Sequence, residues 1–385
     1  MAKRSAQGSG TIRKRADGRW EARYTSGYDP KTGKQVQKSV YGATQKEVRQ
    51  KLTQITASID NGTFIQPDKI SVSQWMDIWM TDYCIALKPS TLSAYRRNTK
   101  NYITPCIGSV SIQALNPAQI QRMYNSFWKG TDGKQLSNKT VRNIHGILHK
   151  ALQQAVFLGI IATNPCERCT PPRLDKKEIN PLDDKQISDF LTAIKGHPYE
   201  NVYIVDLFTG MRQSEILGLT WDCVNFEAGT IRIYRQLQLI DGKYIFTTPK
   251  NGKTRTIVPA PTVMTVLRNQ RKQQLQKKLV VGELWHNDED FVFTTDLGEH
   301  LARQTVYSQF KKIVASIGLP QTRFHDLRHS YAVASIFAGD DIKTVQENLG
   351  HHTAAFTLDI YGHVTDAMRK RSSERMEAFI KSVET

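Results

Sequence analysis

Residues 165–181, PCERCTPPRLDKKEINP, hold four prolines and seven charged side chains in 17 positions. Proline fixes φ, lacks an amide donor and disfavours helix at the residue before it. No helix or interior strand runs through such a stretch, so the chain must fold as separate bodies on either side of it. At 385 residues it is also too long for one ordinary core. The two sides differ in pattern. Residues 71–164 carry helical periodicity throughout, whereas the C-terminal half mixes helical stripes with a β-rich interval at 229–259.

A further change of pattern sets off residues 1–65. After a small, polar, basic arm at 1–10, Ile12, Trp20, Ala22, Tyr24, Val36 and Val40 nearly alternate with polar neighbours. Asp17-Gly18 and Asp29-Pro30-Lys31-Thr32-Gly33 are turn signals between them, so three short strands are expected. Thr44 and Glu47 form a capping box ahead of a stripe at Val48, Leu52, Ile55 and Ile59, one face of a helix on the back of the sheet. Arg13, Lys14, Arg15, Arg19, Arg23 and Lys38 would remain on or near the other side. A basic sheet face can enter a DNA major groove.

Residues 66–165 read as a compact helical bundle. Val72, Trp75, Ile78 and Trp79 form one apolar face, and Leu92, Tyr95, Tyr102 and Ile103 are candidate core residues of the next helix. Ile120, Met123 and Phe127 form another, and Val141, Ile144, Ile147, Leu148, Leu152 and Val156 a fourth. Arg96, Arg97, Lys100, Lys139, Arg142 and Lys150 fall on the polar faces. Beyond the linker at 166–181, Asp183 caps a helix, and VYIVDLFTG is an apolar helix broken at Gly210, with Arg212 opening the next. Asp241-Gly242 and Asn251-Gly252 are hairpin signals, predicting a three-stranded sheet with Lys250 at the tip of the second turn. From Ala260 the pattern is helical to the end, where Met376, Phe379 and Ile380 share one side of a last helix. The expected class is α+β, mostly α: a sheet-plus-helix body (1–65), a helical body (66–165), a linker (166–181) and a mixed helical domain with a small antiparallel sheet (182–385).

A formal net charge of +17 points to a polyanion, most often nucleic acid. Residues 1–60 hold 13 Lys and Arg against 5 Asp and Glu, so the excess is concentrated where the basic sheet is expected. No run of 18 apolar residues predicts a membrane span, and the first residues lack the apolar core of a secretory signal. Five cysteines suit a reducing cytosol better than a disulfide framework. Cys166-Glu-Arg-Cys169 is a lone C-x-x-C without the second pair a zinc site needs. No cofactor or metal is expected.

The chemistry gathers at His325–Tyr361. His325-Asp-Leu-Arg328 places imidazole and guanidinium on one helical face, and His351 and Tyr361 follow within a span of 37 residues. An arginine, two histidines and a tyrosine are what phosphoryl transfer to a tyrosine nucleophile needs. His329, His352 and His363 flank this set, but no acidic cluster or H-E-x-x-H spacing accompanies them.

TGMRQSEILGLTW, TPKNGKTRTIVP, HDLRHSYA and LGHHTAAFTLDIYGHV, in that order and spacing, resemble the successive boxes of the tyrosine recombinase (phage integrase) family. LSNKTVRNIHGILHKALQQAVFLGIIATNP looks like that family's SAM-like core-binding domain. The N-terminal sheet and helix resemble the arm-binding domain of conjugative-transposon and lambda-type integrases. The resemblance implies a catalytic set of Arg212, Lys250, His325, Arg328, His351 and the nucleophile Tyr361. Lys253 is the alternative to Lys250, and Glu215 would be structural support. It implies an enzyme that integrates and excises a mobile element without metal or ATP, through a 3′-phosphotyrosine and a Holliday junction. Two guanidiniums would stabilise the phosphate charge, a histidine would help deprotonate a phenol of ordinary pKa near ~10, and the lysine would protonate the 5′-oxygen. Implied partners are double-stranded DNA at core-type and arm-type sites, three further copies in a tetramer, and an accessory excision factor or DNA-bending protein. Its expected location is the bacterial cytoplasm, at the nucleoid. Basic residues expected on DNA are Arg13, Lys14, Arg15, Arg19, Arg23, Arg96, Arg97, Lys139 and Arg142. A type IB topoisomerase shares the tyrosine chemistry, and a non-catalytic DNA-binding protein could share the fold.

Overall fold

The computed structural model describes residues 11–28, 34–60, 70–130, 135–174, 179–249, 252–350 and 366–383. The chain forms two units, Met1–Lys176 and Lys177–Thr385.

In the first unit, β1 (Thr11–Lys14), β2 (Trp20–Tyr28) and β3 (Gln35–Gly42) form an antiparallel sheet in that order. Register aligns Ile12, Ala22 and Val40. These pack, with Trp20 and Tyr24, against Val48, Leu52 and Ile55 of α1 (Gln45–Asp60). Thr44 Oγ1 accepts from the Glu47 amide at 3.2 Å, and the Glu47 carboxylate accepts from the Ala43 amide at 3.0 Å, one residue before the usual reciprocal donor.

The pleat corrects the expected basic face. Lys14 pairs with Trp20 and Lys38 with Tyr24, so both lie on the side that carries α1. The open side instead aligns Arg13, Glu21 and Tyr41 in one row and Thr11, Arg23 and Ser39 in the next. Glu21 is 2% exposed beneath Arg13 (2.7 Å) and Arg23 (3.3 Å). Hydrogen bonds from Ser39 and Arg13 pull its carboxyl down to about 2. Arg15 and Arg19 sit in the β1–β2 turn around Asp17.

The helical part of this unit has α2 (Val72–Ile78), running into a π turn, then α3 (Pro89–Asn98), a second π turn, and α4 (Thr104–Ile107). α5 (Pro117–Lys129) and α6 (Asn138–Phe157) follow. Ser71, Asn116 and Ser137 cap α2, α5 and α6. Trp75, Met76, Ile103, Ile120, Tyr124, Ile144 and Leu148 are buried together, and the Trp75 indole donates to the Ala151 carbonyl at 2.8 Å. Arg96, Arg97, Lys100, Lys139, Arg142 and Lys150 are exposed. The stretch after α6 packs back on the bundle, with Cys166 fully buried and the Thr170 amide donating to Gln121 at 2.8 Å.

The second unit opens with α7 (Asp184–Ala193), capped by Asp183, then α8 (Glu200–Thr209) and α9 (Gln213–Ile216). Its short strands are β4 (Val224–Asn225), β5 (Thr230–Ile233), β6 (Gln236–Ile240), β7 (Lys243–Thr247) and β8 (Arg255–Ile257). Helices α10 (Pro261–Val281), α11 (Arg303–Ser316), α12 (Phe324–Ala338), α13 (Ile342–Leu349) and α14 (Asp366–Val383) complete it. Phe190, Tyr203, Phe310 and Phe324 interlock at centroid distances from 5.3 to 6.1 Å in its core.

Two expectations are corrected here. β6 and β7 form a separate two-stranded hairpin on the Asp241-Gly242 turn, while β4, β5 and β8 form their own sheet. β8 pairs with β5, not β7, because Ile257 opposite Ile231 is buried in the core. Residues 285–302 are not helical. They run as bridges and turns that bury Phe291, Val292 and Phe293 in succession, which a single helical face cannot do. On α14, Met376 is 59% and Phe379 61% exposed. Among the described residues no helix is long and apolar enough to cross a membrane.

Candidate active site

α8 ends at Gly210, which adopts φ +61. A Cβ there would stand 2.7 Å from Leu349 Cδ2 and collide with the Tyr331 ring, so only glycine lets α12 and α13 close on this corner. Two residues later Arg212 opens α9. Its amide donates to Glu215 Oε2 at 2.9 Å, its Nη1 to Oε1 at 2.7 Å and its Nη2 to the Gly350 carbonyl at 3.3 Å. Arg255, at the start of β8, puts Nη1 and Nη2 on the same carboxylate at 3.1 and 2.7 Å. Glu215 is fully buried and would resist ionising, but hydrogen bonds and charge from Arg255, then Arg212, carry its pKa down to about 2.

Arg328 comes to the same place from α12. It is 1% exposed, with Nη1 on the Gly210 carbonyl at 2.6 Å and Nη2 on the Leu349 carbonyl. Both sequence-nominated arginines thus converge on successive carbonyls, Leu349 and Gly350, immediately before His351. In this state the Arg328 fork is occupied by backbone. The Arg212 fork also rests on protein acceptors, Glu215 and the Gly350 carbonyl, but its side chain is 18% exposed where that of Arg328 is buried.

His325, in the first turn of α12, remains exposed to solvent. Lost hydration, then the charges of His329, Arg328 and Arg212, lower its pKa to about 4, so it is neutral at pH 7. A neutral imidazole can accept a proton. His329 is buried beside it and also lowered to about 4.

Arg212, Lys253, Arg255, Lys343 and Gly350 border a cleft of about 350 Å³. Lys253 therefore lines the space into which Arg212 opens. Lys250, His351 and Tyr361 lie outside the described residues.

Two residues escaped the sequence reading. Arg255 hides in TPKNGKTRTIVP as one more cation near a turn. Asp206, on α8, is the lone carboxylate in an apolar run. It is 1% exposed, neither side-chain oxygen has a hydrogen-bond partner, and burial raises its pKa well above the usual range against the pull of Arg328. Among the described residues no group of three or more His, Cys, Asp or Glu could hold a metal ion.

Residues 180–368 match the phage integrase family, and residues 71–128 match the N-terminal SAM-like domain of phage integrases. Among solved structures, the Tn1549 transposon integrase bound to circular intermediate DNA superposes with a TM-score of 0.67 at 22% identity, covering 80% of this chain and 99% of that one. The chain is 31% identical over 364 residues to a XerC-like tyrosine recombinase of Caldanaerobacter subterraneus, covering 89% of this chain and 92% of that protein. It is 24% identical to the ICEBs1 integrase of Bacillus subtilis, covering 95% and 99%. The chain belongs to the phage integrase family of tyrosine recombinases. It is a site-specific recombinase whose substrate is DNA, which it cleaves and rejoins.

Proposed function

We infer that this recombinase integrates and excises a mobile genetic element, with Tyr361 as its nucleophile. The observation that carries this reading is the convergence of Arg212 and Arg328 on the Leu349 and Gly350 carbonyls, with a neutral His325 at their side. In the proposed step Tyr361 Oη bonds to the scissile phosphorus as the bond to the 5′-oxygen breaks. His325, with His351, assists removal of the phenol proton, and Lys250 returns a proton to the 5′-oxygen. Arginines stay charged at any working pH and offer forked donors to the nonbridging oxygens. The phosphotyrosine conserves the phosphodiester's free energy, so a 5′-hydroxyl from a second duplex can reverse the step without ATP.

Three bodies, at about 1–65, 66–165 and 182–385, would divide the work. The first would hold arm-type sites through Arg13 and Arg23, the second core-type sites through Arg96, Arg97, Lys139 and Arg142, and the third would cut. Four copies would exchange strands through a Holliday junction, aided by an excision factor or DNA-bending protein, at the bacterial nucleoid. The exposed apolar side of α14, with Met376, Phe379 and Ile380, supports docking on a neighbouring copy. The mobile-element names of the ICEBs1 and Tn1549 integrases support this choice of substrate.

The test is a nicked duplex spanning the joined ends of the element that carries the gene. Wild-type protein forms a covalent adduct with it and Tyr361→Phe forms none; an adduct with the variant removes Tyr361 from the role. Joining two separate sites, beyond relaxing a plasmid, distinguishes the recombinase from a type IB topoisomerase.

A further inference from the structure

Glu215 serves two guanidiniums, and only one belongs to the set the boxes nominate. Besides the side chain and amide of Arg212, its carboxylate accepts Nη1 of Arg255 at 3.1 Å and Nη2 at 2.7 Å. The Arg255 side chain is 9% exposed, and its Nε donates to the Asn348 carbonyl at 2.7 Å. One side chain therefore ties the α8–α9 corner to the last turn of α13. Gly350 completes the contact. It sits at φ +62, and a Cβ there would be 3.1 Å from both Cδ and Nη1 of Arg255. The next residue in the chain is His351.

The charge arrangement matters as much as the cross-link. A buried carboxylate bonded to Arg212 alone would cancel that arginine's charge where a phosphate must feel it. Arg255 supplies a second positive charge from the more buried side, so Glu215 can grip Arg212 while the cluster keeps a net charge of one. Of the two arginines, Arg212 is the more exposed, 18% against 9%. Lysine cannot replace Arg255, because one ammonium cannot span both carboxylate oxygens and the Asn348 carbonyl.

We propose that Arg255 is a positioning residue of the recombination reaction. It fixes Arg212 through Glu215 and sets the last turn of α13 through the Asn348 carbonyl, without touching the phosphate. This rests on the reading of Arg212 as a phosphate-binding arginine.

The experiment compares full-length wild type, Arg255→Lys, Arg212→Lys and the double variant. Each is measured for single-turnover adduct formation at saturating protein on the nicked duplex, and for affinity by gel shift. Arg255→Lys slows adduct formation by about 100-fold, the scale of a small misplacement of a catalytic group, while affinity changes by less than about twofold. The double variant is no more than about threefold slower than Arg212→Lys, because residues acting as one unit are not additive. A wild-type rate in Arg255→Lys, or losses that multiply in the double variant, overturns the proposal. Gly350→Ala gives a second test that leaves Arg255 in place and presses on its guanidinium. It slows the adduct step by about tenfold, on the same misplacement argument, and an unchanged rate again overturns the proposal. Failure of the functional reading looks different: wild-type protein then forms no adduct, which removes both.

Discussion

His325 and His329 stand one turn apart on α12, with ring centroids 4.8 Å apart and planes at 82°. Burial and shared positive surroundings lower both to about 4, opposed only by Asp326. A proton-accepting His325 must be neutral, so adduct formation should be level from pH 8 to 6 with respect to this group and fall below about pH 5. A rate profile with its acid limb near 6.5 would contradict a neutral His325. The same shifts bear on stability. Both folded values lie below the ordinary 6.5, so this contribution is complete above 6.5 and is lost as pH falls from there towards 4. Melting temperature against pH reads it directly.

Asp206 calls for the opposite sign. Its folded pKa is raised, so its stabilising contribution is present below the ordinary carboxylate range and lost as pH rises through the folded value. Asp206→Leu removes two buried oxygens that lack partners and should raise stability at pH 7 by about 1–3 kcal/mol. Denaturant melts of wild type and variant at pH 5 and pH 7 check this, with the larger gain at pH 7. Destabilisation by Asp206→Leu would mean that the carboxyl is ionised against Arg328.

Arg328 holds two separate backbone corners together, Gly210 and Leu349, from a fully buried position. Arg328→Met leaves both carbonyls without those donors and should cost about 3 kcal/mol or more, in addition to abolishing the adduct. Chemical denaturation of the full chain measures the first effect. A variant of wild-type stability with no cleavage would confine Arg328 to chemistry alone.

Arg23 and Arg13 frame Glu21 on the open face of the N-terminal sheet. If this face meets phosphates, Arg23→Ala weakens arm-site binding. It also makes the slope of log affinity against log salt shallower by about 0.9 for each phosphate that the variant no longer neutralises. Lys38→Ala, on the helix-bearing side by register, should leave that slope unchanged. Equal slopes for all three proteins would take the sheet face out of DNA binding.

Much of this protein was determined by its sequence because the causes are local. Helix caps at Thr44 and Asp183 are read from neighbours three residues away, and each caps a helix in the structure. The Asp241-Gly242 turn likewise closes the β6–β7 hairpin, with Asp241 at φ 49 and Gly242 at φ 82. Even the side taken by Lys14 and Lys38 was legible, since they share the parity of Ile12 and of Val36 and Val40. The order of the boxes named Arg212, His325 and Arg328 together. What tertiary structure decided was pairing across distance. β8 joins β5 and passes over the nearer hairpin, because burial of Ile257 against Ile231 outweighs the turn signal at Asn251-Gly252. That choice carries Arg255 to Glu215, 40 residues earlier, and to Asn348, 93 residues later. No spacing rule in the chain announces a carboxylate shared by two arginines. Only the closing of β8 and α13 over the α8–α9 corner makes Arg255 part of the site.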